Sequence, residues 1–151
     1  PLGFSIPLEV NVARGKGSEV QFRKMRENTL RIVINKPVQF LFEFSLNPQN
    51  TPRWVDSIQK EVASERPTKL GTIYKNWTKE GVATEYEVTD FGENRGFTLS
   101  EIGGDYNVRY TFLPINDNQT EFEYHEWVSS GKLEHPFAQT VLEEFKEITE
   151  G

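Results

Sequence analysis

The sequence predicts an α+β domain in which one curved antiparallel sheet of about seven strands wraps a long C-terminal helix, with two short helices after the first strand. Two observations lead to this prediction. Short segments of alternating apolar and polar residues recur between turns at spacings of roughly 8–12 residues, which is typical of an antiparallel meander. Towards the end of the chain, the apolar residues change to helical spacing, which indicates a helix with one apolar face.

The first strand signal, residues 30–34, is followed by two helical segments. Pro37 fits the first turn of a helix, because the N–H that proline lacks has no intrahelical partner there. The following VQFLFEFSL places apolar residues around much of a helix. Residues 47–52 end this helix at two prolines, and a second short helical turn is expected to contain Trp54 and Val55.

Six further strands are predicted between turns rich in glycine, proline and asparagine, and one helix follows them. The strands are expected at 58–65, 72–79, 82–90, 96–101, 106–113 and 120–128. In several of them apolar residues alternate with polar ones, so one face of the sheet packs inward and the other meets water. The final helix is expected to present its apolar stripe at Phe137, Val141, Phe145 and Ile148.

Composition excludes several functional classes. The net charge of −6 over 151 residues disfavours a general nucleic-acid binder, which needs clustered lysine and arginine. The absence of cysteine excludes a disulfide framework, a thiolate zinc site and a cysteine nucleophile. Because His125 and His135 lack the spacing of metal ligands, no metal site is expected. No other cofactor is expected either. With no apolar run near the roughly 18 residues that span a bilayer and no visible secretory signal, we expect a cytoplasmic protein without stable membrane insertion.

Residues 1–24 differ in character from the rest of the chain. The opening Pro-Leu-Gly resembles the remnant of a protease site, and residues 14–17 form a basic, glycine-rich link. We therefore expect Met25 to be the natural start and residues 25–151 to form a single domain. The alternative is a genuine extension, in which the alternating apolar residues between 6 and 12 form a hairpin at a sheet edge.

Several local runs, together with the order of elements, resemble a known superfamily. These runs are NTPRW at 50–54, KLGT at 69–72, YEVT at 86–89, VRYTF at 108–112 and TEFEY at 120–124. They resemble the SRPBCC superfamily, which has the START-like or birch-pollen-allergen-like helix-grip fold, and the last three are similar to its polyketide cyclase/dehydrase-like branch. The resemblance covers residues 25–150. It implies a deep hydrophobic cavity, but it implies no single activity.

The inward faces predict which side chains line this cavity. The expected lining is Trp77 or Tyr74, Tyr86, Phe97, Leu99, Tyr110, Phe112, Tyr124, Phe137, Val141 and Phe145. Tyrosine hydroxyls would orient an apolar or aromatic ligand, while the alternative for each residue is a purely structural place in the core. Trp54 is expected to cap one end of the cavity.

Glu126 is the most informative polar residue, since alternation places it on the inward face with Phe122 and Tyr124. An unpaired buried carboxylate is unfavourable, so an inward Glu126 should be hydrogen-bonded and would be a candidate for acid–base chemistry. The alternative, which we favour here, is that the strand ends at 127–131 and that Glu126 reaches solvent at the rim.

The leading functional hypothesis is the binding or carriage of a small hydrophobic molecule, such as a lipid or an aromatic polyketide, in the cavity. One alternative is a cyclase, aromatase or dehydratase, for which Glu126 and Tyr124 are the catalytic candidates. The other is a protein-interaction module like the chaperone-cofactor members of the same superfamily. A homodimer is left open, and no nucleic-acid partner is expected.

Overall fold

The computed structural model describes residues 25–151, so the expectations for residues 1–24 lie outside the described residues. Seven strands and three helices follow one another. The strands are β1 (Glu27–Ile34), β2 (Lys60–Ala63), β3 (Ile73–Trp77), β4 (Ala83–Gly92), β5 (Gly96–Glu101), β6 (Tyr106–Asn116) and β7 (Gln119–Val128). The helices are α1 (Val38–Leu46), α2 (Thr51–Trp54) and α3 (Gln139–Glu150).

The strands form one antiparallel sheet in the order β1-β7-β6-β5-β4-β3-β2. The helices α1 and α2 connect the two edge strands, β1 and β2, and α3 returns to β1. The Lys146 ammonium and the Gln139 amide of α3 donate to the carbonyls of Val33 (3.0 Å) and Arg31 (2.9 Å) on that edge. The predicted α+β class, with seven antiparallel strands, two short helices after the first strand and a C-terminal helix, is confirmed.

Alternation is regular in the long central hairpin of β6 and β7. Phe112 lies opposite Phe122 and Tyr110 lies opposite Tyr124, and all four rings point to the inner face. The rings of Phe112 and Phe122 are stacked with their centroids 4.9 Å apart. Cross-strand aromatic pairs of this kind stabilise a sheet directly, so the hairpin forms the central part of the core.

Strand boundaries differ from the predicted ones where turns or bulges intervene. The strand predicted at 58–65 shortens to β2, because the Ile58 N–H donates to the Val55 carbonyl in a turn. Conversely, β6 continues beyond Leu113 through Pro114 to Asn116. A register shift between Pro114 and Asn116 accommodates the proline, which cannot donate a ladder hydrogen bond.

The helix α3 begins later than its apolar stripe predicts. Its first residue is Gln139, so Phe137 precedes the helix and stacks on the ring of Tyr124 with centroids 4.5 Å apart. Within the helix, Leu142 and Phe145 are fully buried, and the Phe145 ring packs edge-on to Trp54 at 4.7 Å. These residues fill the space between α3, α2 and the sheet with a dense aromatic core.

Candidate functional site

A cavity of about 660 Å³ lies on the inner face of the sheet, between strands β2–β7, the helix α2 and the segment 130–137. Its apolar and aromatic lining consists of Val55, Ile58, Tyr86, Leu99, Tyr106, Val108, Tyr110, Tyr124, Val128, Leu133 and Phe137. Its polar and small lining consists of Thr51, Ser57, Glu61, Asn76, Glu101, Asp105, Ser130, Gly131, Lys132, Glu134 and His135. The volume falls within the range of roughly 300–1,000 Å³ that small-molecule sites occupy.

The cavity does not lie against the final helix, where the predicted lining residues Val141 and Phe145 would place it. The described residues of α3 contribute nothing to its lining. The reason is that Leu142 and Phe145, the inward residues of the helix, are fully buried in the core cluster. Only Phe137, which precedes α3, reaches the cavity.

Half of the predicted lining residues surround this cavity. Tyr86, Leu99, Tyr110, Tyr124 and Phe137 line it, and their role in ligand binding stays a prediction. Four others lie in the core instead. Phe97, Phe112 and Phe145 are fully or almost fully buried among other aromatic rings, and Val141 packs against the same cluster.

Trp77 is on the wrong face of the sheet for the predicted role. Its neighbour Asn76 points inward, so Trp77 points outward, where the ammonium groups of Lys60 and Lys75 lie 5.3 and 5.2 Å from its ring centroid. The alternative residue, Tyr74, does point inward. Its hydroxyl donates to the Leu46 carbonyl (2.6 Å) and contacts the Thr68 hydroxyl (2.6 Å), so it belongs to the core and not to the cavity.

Trp54 does not cap the cavity. It is 3% exposed, and its ring packs edge-on against Tyr110, Phe137 and Phe145. Two of these three partners, Tyr110 and Phe137, line the cavity. Trp54 therefore supports the cavity wall from the core side.

The favoured placement of Glu126 at a solvent-exposed rim is wrong. Its side chain is 1% exposed and accepts three hydrogen bonds. The donors are the Asn28 amide (2.8 Å), the Phe137 backbone N–H (2.7 Å) and the Tyr106 hydroxyl (2.6 Å). Burial arises because β7 continues to Val128 and the chain then returns over it. Glu126 thus ties the segment before α3 to β1 and β6.

Four tyrosines line the cavity as neutral side chains. Burial, assisted by the charge of Glu101, raises the pKa of Tyr86 to about 12. Burial also raises the pKa of Tyr106, Tyr110 and Tyr124 well above the ordinary value, and for Tyr106 the nearby Glu126 carboxylate adds to this effect. At neutral pH the phenol groups are therefore protonated and can both donate and accept hydrogen bonds.

Glu61 is a cavity residue that sequence reasoning missed. It projects from β2 beside Asn76 of β3, is half-buried, and accepts hydrogen bonds from the Thr51 hydroxyl (2.5 Å) and the Asn76 amide (3.2 Å). Burial raises the pKa of the Glu61 carboxyl, and these two hydrogen bonds oppose that rise. Apolar alternation could not find it, because the outward neighbour Val62 is the apolar residue of the pair and is 40% exposed.

Comparisons with known proteins identify the fold and not the function. No family model matches the chain, and no curated protein matches it. A START superfamily protein from Mycobacterium smegmatis has a similar structure, with a TM-score of 0.58 at 12% identity over 81% of this chain and 90% of that chain. The Aha1 dimer from Colwellia psychrerythraea gives 0.59 at 14% identity over 83% and 97%. Protein MLL2253 from Mesorhizobium loti gives 0.62 at 17% identity over 83% and 94%.

These similarities confirm the START-like helix-grip fold. At such low identity they show the fold alone, so the polyketide cyclase/dehydrase-like branch stays a prediction. Among residues 25–151, no helix combines the length and apolarity needed to cross a bilayer.

Proposed function

We propose that the protein binds or carries a small hydrophobic molecule in the cavity formed by β2–β7, α2 and the segment 130–137. The single observation that supports this most strongly is the cavity itself, at about 660 Å³ and bordered by aromatic and aliphatic side chains. Burial of apolar surface contributes about 25 cal/mol per Å², so a ligand that buries about 200 Å² gains about 5 kcal/mol before the entropic cost of association. The helix-grip fold supports the same proposal through the cavity that the resemblance implies.

The test is a titration with N-phenyl-1-naphthylamine, a neutral aromatic probe that fluoresces in apolar surroundings. We expect saturable binding to the full chain. In the variant Leu99→Trp the indole fills part of the cavity, because Leu99 lines it from β5, and the affinity should fall at least tenfold. The matched control is Leu113→Trp, since Leu113 is 51% exposed and does not line the cavity.

Melting temperatures of both variants verify that they are folded. Two results contradict the proposal: an absence of saturable probe binding, or equal probe affinity in the wild-type chain and in folded Leu99→Trp.

An enzymatic role for the pair Glu126 and Tyr124 receives less support. Catalysis would require the Glu126 carboxylate to reach a ligand, but Glu126 does not line the cavity, and Tyr106 contacts it on the cavity side. Its donors on β1, β6 and the segment before α3 favour a positioning role. The homodimer stays a prediction, which the Aha1 dimer among the similar structures supports.

A further inference from the structure

The cavity has a polar end in addition to its apolar wall. Glu61 of β2 and Asn76 of β3 are hydrogen-bonded to each other there. Tyr110 of β6 lines the same cavity. Hence a carboxylate, an amide and a phenol from three different strands border one cavity.

Two of these groups have unused hydrogen-bonding capacity. The Tyr110 side chain is 8% exposed, yet within the part of the chain that the structure describes its hydroxyl makes no hydrogen bond. Asn76 is also 8% exposed, and its amide nitrogen donates to Glu61 while its oxygen accepts nothing from residues 25–151. A buried polar group without a hydrogen-bond partner is unfavourable, so such groups in a native structure require an explanation. A ligand that bonds to them would supply one.

Most of the charged groups that line the cavity are acidic. Four carboxylates line it, Glu61, Glu101, Asp105 and Glu134, and none of them forms an ion pair among the described residues. The basic groups in the lining are Lys132 and His135, which are exposed on the segment 130–137. The nearby Arg66 donates to the Leu46 carbonyl (2.7 Å), so its guanidinium is engaged elsewhere.

From this arrangement, which rests on the proposed ligand-binding function, we propose that the preferred ligand is an organic cation: a primary or secondary ammonium group joined to an aromatic or aliphatic body. The ammonium N–H groups would donate to the Glu61 carboxylate, the Asn76 oxygen and the Tyr110 hydroxyl. A primary ammonium has three donors and no acceptor, which matches in number the three acceptors that border the cavity. The apolar body would lie against Leu99 and Phe137.

Electrostatics and aromatic contacts both favour a cation over its isosteres. A hydrogen bond to a charged group is roughly twice as strong as one between neutral groups. The rings of Tyr86 and Tyr110 line the same cavity, and aromatic rings attract cations. A neutral alcohol would keep the apolar contacts and lose the charge, while a carboxylic acid would be repelled by Glu61.

The experiment compares three probes that share one body and differ in their head group: 6-phenylhexylamine, 6-phenylhexan-1-ol and 6-phenylhexanoic acid. Displacement of N-phenyl-1-naphthylamine or calorimetry at pH 7 gives their affinities. We expect the amine to bind at least about tenfold more tightly than the alcohol, and the acid to bind most weakly. In Glu61→Gln, the amine should lose at least about tenfold in affinity, while the alcohol changes less than about threefold.

Two further variants make the comparison specific. Glu121→Gln removes an equal charge from the outer face of β7, so the amine should keep its affinity if the Glu61 contact is local. Tyr110→Phe removes only a hydroxyl without a partner among the described residues, so it should fold normally and weaken amine binding by about threefold or more.

The results distinguish a failure of the proposed binding function from a failure of the cation proposal. If none of the three probes binds, the cavity-binding function itself is wrong. If the alcohol binds as tightly as the amine to the wild-type chain, or if both Glu61→Gln and Tyr110→Phe leave the amine affinity unchanged, the cation proposal is wrong and the binding function stands.

Discussion

Replacing Glu126 tests whether this residue holds the structure together. Its carboxylate accepts from the Asn28 amide, the Phe137 N–H and the Tyr106 hydroxyl at 2.6–2.8 Å, and its side chain is 1% exposed. The variant Glu126→Leu keeps a similar volume and removes all three acceptor contacts. The three donors then differ in whether another hydrogen-bond acceptor remains within reach.

The three donors allow the magnitude to be worked out. Phe137 N–H loses its acceptor entirely, which costs about 1–3 kcal/mol. Asn28 keeps its bond to the Phe137 carbonyl (3.0 Å), and Tyr106 can turn to the Tyr124 hydroxyl 3.3 Å away, so each loses about 1 kcal/mol. The sum for Glu126→Leu is about 3–5 kcal/mol, a large part of the about 5–15 kcal/mol that stabilises a typical domain.

The isosteric variant Glu126→Gln should be milder. Its amide oxygen can accept from Asn28 and Phe137, and its amide nitrogen can donate to the Tyr106 oxygen. Only the charge is lost, for which we expect about 1–3 kcal/mol.

Urea unfolding followed by tryptophan fluorescence measures these free energies, because Trp54 is buried beside Phe137. Glu121→Gln on the outer face of the same strand is the control, with an expected change within about 0.5 kcal/mol. A free energy of unfolding for Glu126→Leu within about 1 kcal/mol of the wild-type value would refute the reasoning. Loss of a catalytic activity without loss of stability would instead restore Glu126 as a catalytic candidate.

Two further predictions concern Glu61 and Gly96. Burial raises the pKa of Glu61 in the folded chain, so the folded state binds this proton more tightly than the unfolded state does, and stability falls as pH rises from about 4.5 through the raised pKa. Glu61→Gln should therefore have a higher melting temperature than the wild type at pH 7 and no such advantage at pH 4. The other titratable groups nearby are Arg66, Tyr74, Tyr86 and Tyr110. An equal difference in melting temperature at both pH values would contradict this prediction. Gly96→Ala should destabilise the chain by about 1–3 kcal/mol in urea unfolding, because the added Cβ would lie 2.2 Å from the Tyr110 carbonyl oxygen of β6. The control is Gly81→Ala, whose added Cβ meets no atom within 4 Å, so that any loss there is a conformational effect of alanine. Equal losses of stability in the two variants would contradict the clash at Gly96.

The central and C-terminal elements could be predicted because their own residues specify them. In β6 and β7 the aromatic rings alternate with polar side chains, and the inner face that this pattern predicts is confirmed from Val108 to Phe122. Pro37 precedes the first residue of α1, as the sequence suggests. Each strand of the β6–β7 hairpin buries one apolar face, and a shift of its pairing register by one residue would expose that whole face.

Glu126 shows what local pattern could not supply. Its alternation predicted an inward side chain, but the cost of a buried carboxylate favoured the rim. The missing information was the set of donors, which come from Asn28, 98 residues away in sequence, and from the Phe137 backbone, 11 residues away. Contacts with such distant residues form only in the assembled sheet. The alternation therefore predicts the direction of the Glu126 side chain but not its hydrogen-bond partners.

The faces of the edge strand β2 and of its neighbour β3 depart from the predicted pattern for a different reason, which bears on function. There the outer face carries the larger apolar groups, Val62 and Trp77, while the cavity face carries Glu61 and Asn76. This inversion is unfavourable for folding alone, because among residues 25–151 it leaves a half-buried carboxylate without an ion pair and places apolar side chains on the outer face, where the ammonium groups of Lys60 and Lys75 lie over the Trp77 ring. Violations of the local folding pattern are expected where a site requires them. Glu126, whose carboxylate accepts three hydrogen bonds inside the protein, maintains the fold. Asn76 and Tyr110, in contrast, keep unused hydrogen-bonding capacity in the cavity that Glu61 also lines, where we propose that a ligand head group binds.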